Sequence, residues 1–286
     1  MSIPAGKLHV PELIAMKQRG DKIVMVTAYD APGARFAEDA GIDMILVGDT
    51  AAMVVLGHSG TTSVTIEEML FLTRTVSRQV HRPIIVGDMP FGSYETSDED
   101  AVRNAVRFVK EGGAEIVKLE GAGPMVSRAR AIVQAGIPVM GHVGLTPQSA
   151  TMLGGFKTQG RTAEAAQRIV EGAKELEDAG CCSLVLEAVP APVAARITRE
   201  LSIPTIGIGA GADCDGQVLV YHDLLGLSEG HLPRFVKRYA NLSAEIRDAL
   251  TAYATEVRSG AFPEEEHTYA MPADEQAEFE AATNPK

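Results

Sequence analysis

Eight short runs rich in Val, Ile, Leu and Met recur along the chain, separated by segments with helical spacing or helix-start signals. They are IVMVTAY (23–29), MILVGD (44–49), IIVGDM (84–89), EIVKLEG (115–121), IPVMGHVG (137–144), SLVLEAV (183–189), PTIGIGAG (204–211) and QVLVYHD (217–223). Their near-continuous apolar character, in place of strict alternation, is what strands show when helices cover both faces of a sheet, so parallel strands are expected. The intervening segments carry matching signals. In TSDEDAVRNAVRFVKEGG (96–113), Ser97 is placed to cap, acids fill the first turn, Val102, Val106 and Val109 share a face, and Gly112-Gly113 stops the helix. A second such helix is predicted from Thr162 to Gly180.

A β-then-α unit repeated eight times is the signature of the (β/α)8 TIM barrel, an α/β fold that typically takes roughly 250 residues. The 286 residues here suit one such barrel. A helix over about Val10 to Lys17 is expected to cover the barrel's bottom, and residues 234–260 to supply a C-terminal helical extension. Residues 1–260 are therefore expected to form a single catalytic domain. A doubly wound sheet is the alternative; it needs a topological switch and usually fewer strands.

The net charge is −12, and half of it lies in residues 261–286, where seven acids face the single base Lys286. That stretch is expected to be an acidic, mobile tail. Neither tail nor body offers a basic stripe, so nucleic acid is not an expected partner. No window approaches the roughly 18 consecutive apolar residues of a membrane span. The opening MSIPAGKLHVPELIAMKQRG lacks an apolar core behind a basic end, so a cytoplasmic location is expected. Cys181, Cys182 and Cys214 suit neither a disulfide framework nor a CxxC metal site, and are expected to be small buried hydrophobes.

In such a barrel the active site lies at the C-terminal ends of the strands. The second run ends in Asp49 and the third in Asp88, the fourth carries Lys118 and Glu120, the fifth reaches His142, and the sixth ends in Glu187. Any one of these would serve as a cap or a rim ion pair; five successive strands delivering polar groups to one rim point to a site. Converging carboxylates repel one another, and a divalent cation relieves them. All-oxygen ligands favour Mg²⁺, and no Cys/His set with zinc spacing occurs. Apolar neighbours around Glu187 suit a general base, and Lys118 lies on the same strand face as Glu120, where it would steady an enolate or neutralise the acid. For His142, orienting and structural roles are both open. These residues imply Mg²⁺-dependent enolate chemistry on a small 2-oxo acid.

The stretches TAYD (27–30), LVGD (46–49), GDMPF (87–91), VKLEG (117–121), GHVGLTPQS (141–149), GGFKTQGR (154–161), LEAVP (186–190), IPTIGIGAGADCDGQVLVYHDLLGL (203–227) and GHLPRFVKRY (230–239) closely resemble the ketopantoate hydroxymethyltransferase family. The resemblance runs from about residue 7 to residue 268. It implies transfer of the one-carbon unit of 5,10-methylenetetrahydrofolate to 3-methyl-2-oxobutanoate through a Mg-stabilised enolate. The product would be 2-dehydropantoate, for pantothenate and coenzyme A biosynthesis. It further implies Asp49, Asp88 and Glu120 as Mg²⁺ ligands, and Asp49, Thr50, Asp88 and Lys118 as substrate contacts. Glu187 matches the proton acceptor, and the expected assembly is a homo-oligomer, a decamer of two pentameric rings.

The departures from the family pattern cluster. The usual Gly-Asp-Ser-Leu-Gly reads Gly48-Asp49-Thr50-Ala51-Ala52, and the usual Asp-Ser-Thr-Leu-Pro reads Ser59-Gly60-Thr61-Thr62-Ser63. Thr50 keeps the hydroxyl but adds a methyl that stiffens χ1. The alternative enzyme class is a Mg²⁺-dependent carbon–carbon lyase of the isocitrate-lyase/PEP-mutase type, although its Lys-Lys-Cys-Gly-His loop does not occur here. A nucleotide-binding GIGAGA (207–212) is a weak signal, since loop and strand rather than a helix follow it.

Overall fold

The strands β1 (Ile23–Thr27), β2 (Met44–Val47), β3 (Ile84–Asp88), β4 (Ile116–Lys118), β5 (Val139–Gly144), β6 (Ser183–Glu187), β7 (Thr205–Ile208) and β8 (Gly216–Leu219) pair in sequence order. Every pairing is parallel, and β8 closes on β1, so the sheet is a barrel without an edge. The computed structural model describes residues 6–228, 230 and 232–283. His231 of the GHLPRFVKRY stretch and residues 284–286 of the acidic tail lie outside them. By its contacts the chain forms two compact units, Met1–Tyr239 and Ala240–Lys286.

Alternation along each strand sorts side chains between two cores. Ile23, Met25, Met44, Ile84, Val86, Ile116, Met140, Val185, Ile206 and Val218 share a buried cluster inside the barrel. Ile45, Val47, Ile85, Val117, Val139, Leu184 and Leu186 belong to the second cluster, between strands and helices. Each such side chain stabilises the fold by roughly 1.5–3 kcal/mol when fully buried. Leu13, from the helix Val10–Arg19, joins the inner cluster, and Lys17 of that helix pairs with Asp215 at 2.7 Å, just ahead of β8. The first helix therefore closes the N-terminal end of the barrel.

The predicted helix starts are present. Ser97 accepts from the Asp100 N–H ahead of the helix Asp98–Arg107, and Thr162 accepts from Ala165 N–H ahead of Ala163–Asp178. The first of these helices widens into a π-turn, Phe108–Gly112, before Gly113 reverses the chain. Phe108 is fully buried, and a Cβ on Gly87 of β3 would stand 2.6 Å from its ring. Glycine at 87 is what lets that ring lie on the strand.

All but one of the apolar runs outlast their strands, and at β7 and β8 the cause is visible. β7 stops at Ile208, because Gly209 and Gly211 both turn at positive φ. β8 stops at Leu219, and Tyr221 to Leu224 form a short helix whose first N–H donates to Thr27 Oγ1 instead of a strand ladder. The helix expected within 234–260 covers Leu242–Ser259, and residues 234–241 stay outside it. Beyond it, the acidic segment holds a short turn at Glu265–His267 and a helix at Ala273–Thr283, the turn and residues 273–282 being exposed. No helix among the described residues is long and apolar enough to cross a membrane.

Candidate active site

The inward-facing row of each strand changes character near its C-terminal end. On β3 the row Ile84, Val86 ends in Asp88; on β4 Ile116 is followed by Lys118; on β5 Met140 is followed by His142; on β6 Val185 is followed by Glu187. Apolar layers thus fill the lower barrel and four ionisable groups crown it. Glu120 and Asp49 lie just past the ends of β4 and β2, and both are buried at 4% and 2% exposure.

Register and contact join them into one chain of charge. Asp88 stands opposite Lys118, whose Nζ lies 2.8 Å from Oδ1 and 3.1 Å from Oδ2 of that carboxylate. The same ammonium reaches Glu120 Oε1 at 3.4 Å. Glu120 Oε1 is 3.3 Å from His142 Nδ1, and His142 Nε2 is 3.3 Å from Glu187 Oε2. Those imidazole contacts are ion-pair approaches, since neither ring nitrogen has an aligned hydrogen bond. Asp49 enters through its N–H, which donates to Asp88 Oδ2 at 3.0 Å.

The local field follows from this arrangement. Burial, reinforced by Asp88 and Glu120, holds the Asp49 carboxyl well above its ordinary range. Burial also raises Asp88, with Lys118 opposing and Glu120 adding to the shift. For Glu120 burial is outweighed by Lys118, His142 and the Gln148 N–H, and the carboxyl is lowered. Lys118 and His142 show the converse balance: burial disfavours their charge, but the surrounding carboxylates prevail. Lys118 is raised, and His142 is pushed up to about 9, which makes it an imidazolium at neutral pH.

Glu187 keeps 16% side-chain exposure and ends β6. Its setting is less apolar than its sequence neighbours suggest, because the inward register brings it to His142. Two backbone features hold it there. Ala188, the next residue, sits at φ 47°, a left-handed conformation that β-carbon-bearing residues seldom adopt and that gathers at functional sites. Across from it, Gly144 has φ 101°, and a Cβ there would come within 2.3 Å of the Glu187 carbonyl oxygen. Thr50 is half-buried beside Asp49, and its side chain makes no cap bond to the short helix Ala51–Val54. Ala51 and Ala52 are fully buried in that helix, and the altered Ser59–Ser63 stretch contains a 3₁₀ turn at Thr61–Ser63.

Among the described residues no three side chains of Asp, Glu, His or Cys stand ready to chelate a metal ion. Asp88 is turned onto Lys118, and Glu120 onto Lys118 and His142. Asp49 differs. Its carboxylate takes a hydrogen bond from the neutral Gln148 amide alone among the described side chains. Hard oxygen donors around a buried carboxylate that makes no ion pair of its own among the described residues fit a cation held by one or two acids and completed by water and substrate, the habit of Mg²⁺.

A family model for ketopantoate hydroxymethyltransferase matches residues 7–265. The chain belongs to this family. Within the ketopantoate hydroxymethyltransferases, a 3-methyl-2-oxobutanoate hydroxymethyltransferase from Moorella thermoacetica is 57% identical over 264 residues, covering 92% of this chain and 98% of its own. One from Thermobifida fusca is 54% identical over 264 residues, covering 92% and 94%. The chain is thus an enzyme of the hydroxymethyltransferase class. Solved structures share its fold: 2,3-dimethylmalate lyase, with TM-score 0.60 at 17% identity, covers 96% of this chain and 98% of its own. A phosphonopyruvate hydrolase crystallised with oxalate and Mg²⁺ gives 0.57 at 14%, covering 96% and 95%.

The three cysteines lie away from this rim. Cys181 and Cys182 precede β6 and Cys214 precedes β8, at the opposite barrel end from Glu187; Cys181 and Cys214 are buried. A lyase mechanism using a cysteine at the barrel mouth has no thiol to use there. Two further buried residues at this rim, Gln148 and Tyr94, have no strand or helix periodicity to announce them, although Gln148 falls within the GHVGLTPQS stretch.

Proposed function

We propose that this protein transfers the one-carbon unit of 5,10-methylenetetrahydrofolate to 3-methyl-2-oxobutanoate, giving 2-dehydropantoate for pantothenate and coenzyme A biosynthesis. The observation that carries the reading is the unbroken relay Asp88–Lys118–Glu120–His142–Glu187 at the barrel mouth, with contacts of 2.8 to 3.4 Å. It supports a carboxylate base at one end and a carboxylate-lined cation site towards the other.

Asp49, Asp88 and Glu120 would hold Mg²⁺, which when bound supplies Lewis acidity to the carbonyl and carboxylate oxygens of the 2-oxo acid. Thr50 offers a hydroxyl to that carboxylate. Glu187 accepts the proton from C3, and the C–H electron pair moves into the enol system. Lys118 stabilises the negative charge that develops on the carbonyl oxygen, from a fixed position that needs no reorganisation. One of the two carbon–nitrogen bonds of the folate methylene bridge opens, its nitrogen taking the proton that left C3, and the C3 carbon bonds to the resulting iminium carbon; water then replaces the second nitrogen, which leaves with a water proton as the hydroxyl stays on the new carbon. His142, between two acids, keeps Glu187 aimed inward.

A family decamer of two pentameric rings, in the cytoplasm, belongs to the same proposal. Ile246, Leu250, Tyr253 and Val257 support it, as an exposed apolar stripe on the helix Leu242–Ser259. The functional test is turnover: 3-methyl-2-oxobutanoate should be consumed only when methylenetetrahydrofolate and Mg²⁺ are both present. Consumption without folate, with cleavage of a carbon–carbon bond, would instead favour the lyase class.

A further inference from the structure

Behind the carboxylates lies a second polar layer that bonds to neither the Glu187 carboxylate nor the Lys118 ammonium. Its centre is Gln148, 6% exposed, in the turn Pro147–Ser149 that follows β5. From Nε2 the side chain donates to Asp49 Oδ2 at 2.9 Å and to the Met89 carbonyl at 3.0 Å. Its Oε1 accepts from the Tyr94 hydroxyl at 2.5 Å, and the Tyr94 oxygen in turn accepts from the Glu120 N–H at 3.2 Å. The Gln148 N–H donates to Glu120 Oε2 at 3.0 Å. A closed ring results, tying the loops after β2, β3, β4 and β5.

The amide has one sensible orientation. Turned over, it would set Oε1 against two acceptor oxygens and leave the tyrosine hydroxyl facing an NH₂ group. A buried amide without partners costs several kcal/mol, so a glutamine tolerated here is one whose bonds are all made. Its neutrality is the informative property. Lysine or arginine would also hold Asp49, but would cancel the charge that a divalent cation requires. Gln148 fixes one oxygen of Asp49 and, through its backbone, one of Glu120, and spends no positive charge on either.

We propose that Gln148 is a positioning residue for the cation site: by neutral donors alone it orients two of the carboxylates assigned above to Mg²⁺, and Tyr94 completes the ring that holds it. The inference rests on the metal reading under Proposed function. Outer hydrogen-bond partners of metal ligands typically contribute roughly 10–100-fold in affinity.

The test is a calorimetric Mg²⁺ titration of the full chain, without folate, for wild type, Gln148→Met, Tyr94→Phe, the double variant and Asp49→Asn. Gln148→Met, close in shape but without donors, should weaken Mg²⁺ by roughly 10–100-fold. Tyr94→Phe should weaken it less. The double variant should lose no more than Gln148→Met alone, since both act through one ring. Steady-state kinetics should show a raised KM for the oxo acid and an unmoved KM for the folate. A folded Gln148→Met or Tyr94→Phe protein with the wild-type Mg²⁺ Kd overturns the proposal; if Gln148→Met does not fold, Tyr94→Phe decides. If wild type binds no Mg²⁺, or Asp49→Asn leaves its Kd unchanged, the metal reading itself fails. If Asp49→Asn loses binding while the ring variants keep it, only the role of Gln148 is removed.

Discussion

His142 Nε2 stands 3.3 Å from Glu187 Oε2, with both side chains inside the barrel at the ends of adjacent strands. The pairing gives Glu187 an oriented cationic neighbour in a site otherwise dominated by acids. Removing it should misplace the base without removing it. His142→Gln is expected to lower kcat by roughly 10–100-fold, as loss of a positioning partner does, with Mg²⁺ affinity also changed through its contact with Glu120. Stopped-flow turnover alongside metal titration checks this; unaltered kcat would assign His142 to structure alone.

Asp49 carries the opposite expectation, a gain in stability. Burial and its acidic neighbours raise its carboxyl in the folded state, so its contribution to stability is fully present below the ordinary carboxylate range. That contribution is lost as pH rises from the ordinary carboxylate range through the elevated folded value. Asp49→Asn should therefore stabilise the metal-free chain by about 1–3 kcal/mol, while abolishing the rise in Tm that Mg²⁺ gives the wild type. Thermal melts at pH 7.5 (about three units above ordinary carboxylates), with and without Mg²⁺, measure both effects. A lower Tm for the metal-free variant would contradict the electrostatic picture.

Cys181 gives a pH-dependent test remote from the site. Burial pushes its thiol up to about 12, and burial also raises Cys214. With folded values above unfolded ones, their contribution to stability is complete below about pH 8.5 and is lost as pH rises towards the folded values. At pH 8, near the ordinary thiol pKa of about 8.5, both thiols should resist alkylation in the native protein and react promptly once urea is added. Mass spectrometry of iodoacetamide-treated protein reads this directly, and rapid native labelling of either residue would count against the packing described.

The barrel and much of its rim could be read from the chain because both depend on local periodicity. Asp88, Lys118 and Glu187 follow apolar residues at a spacing of two, so the inward face of each strand predicts where they point. Glu120 and Asp49 lie past strand ends, where residue type but not direction is legible. Gln148 and Tyr94 sit in loops without periodicity, where solvent is the default partner; only closure of the ring between four loops buries them. The contact of Glu187 with His142 is not legible in its sequence neighbours either, because His142 comes from another strand. At β7 and β8 glycine turns and the Thr27 bond to Tyr221 stop ladders that composition alone would extend.

Exchange of the C3 proton of 3-methyl-2-oxobutanoate into deuterated water, followed by NMR with Mg²⁺ and without folate, isolates the step assigned to Glu187. Wild type should exchange this proton, and Glu187→Gln should reduce the rate by at least about 10²-fold while binding Mg²⁺ and the oxo acid as before. Exchange by Glu187→Gln at the wild-type rate would show that another group removes the proton, and would contradict the account.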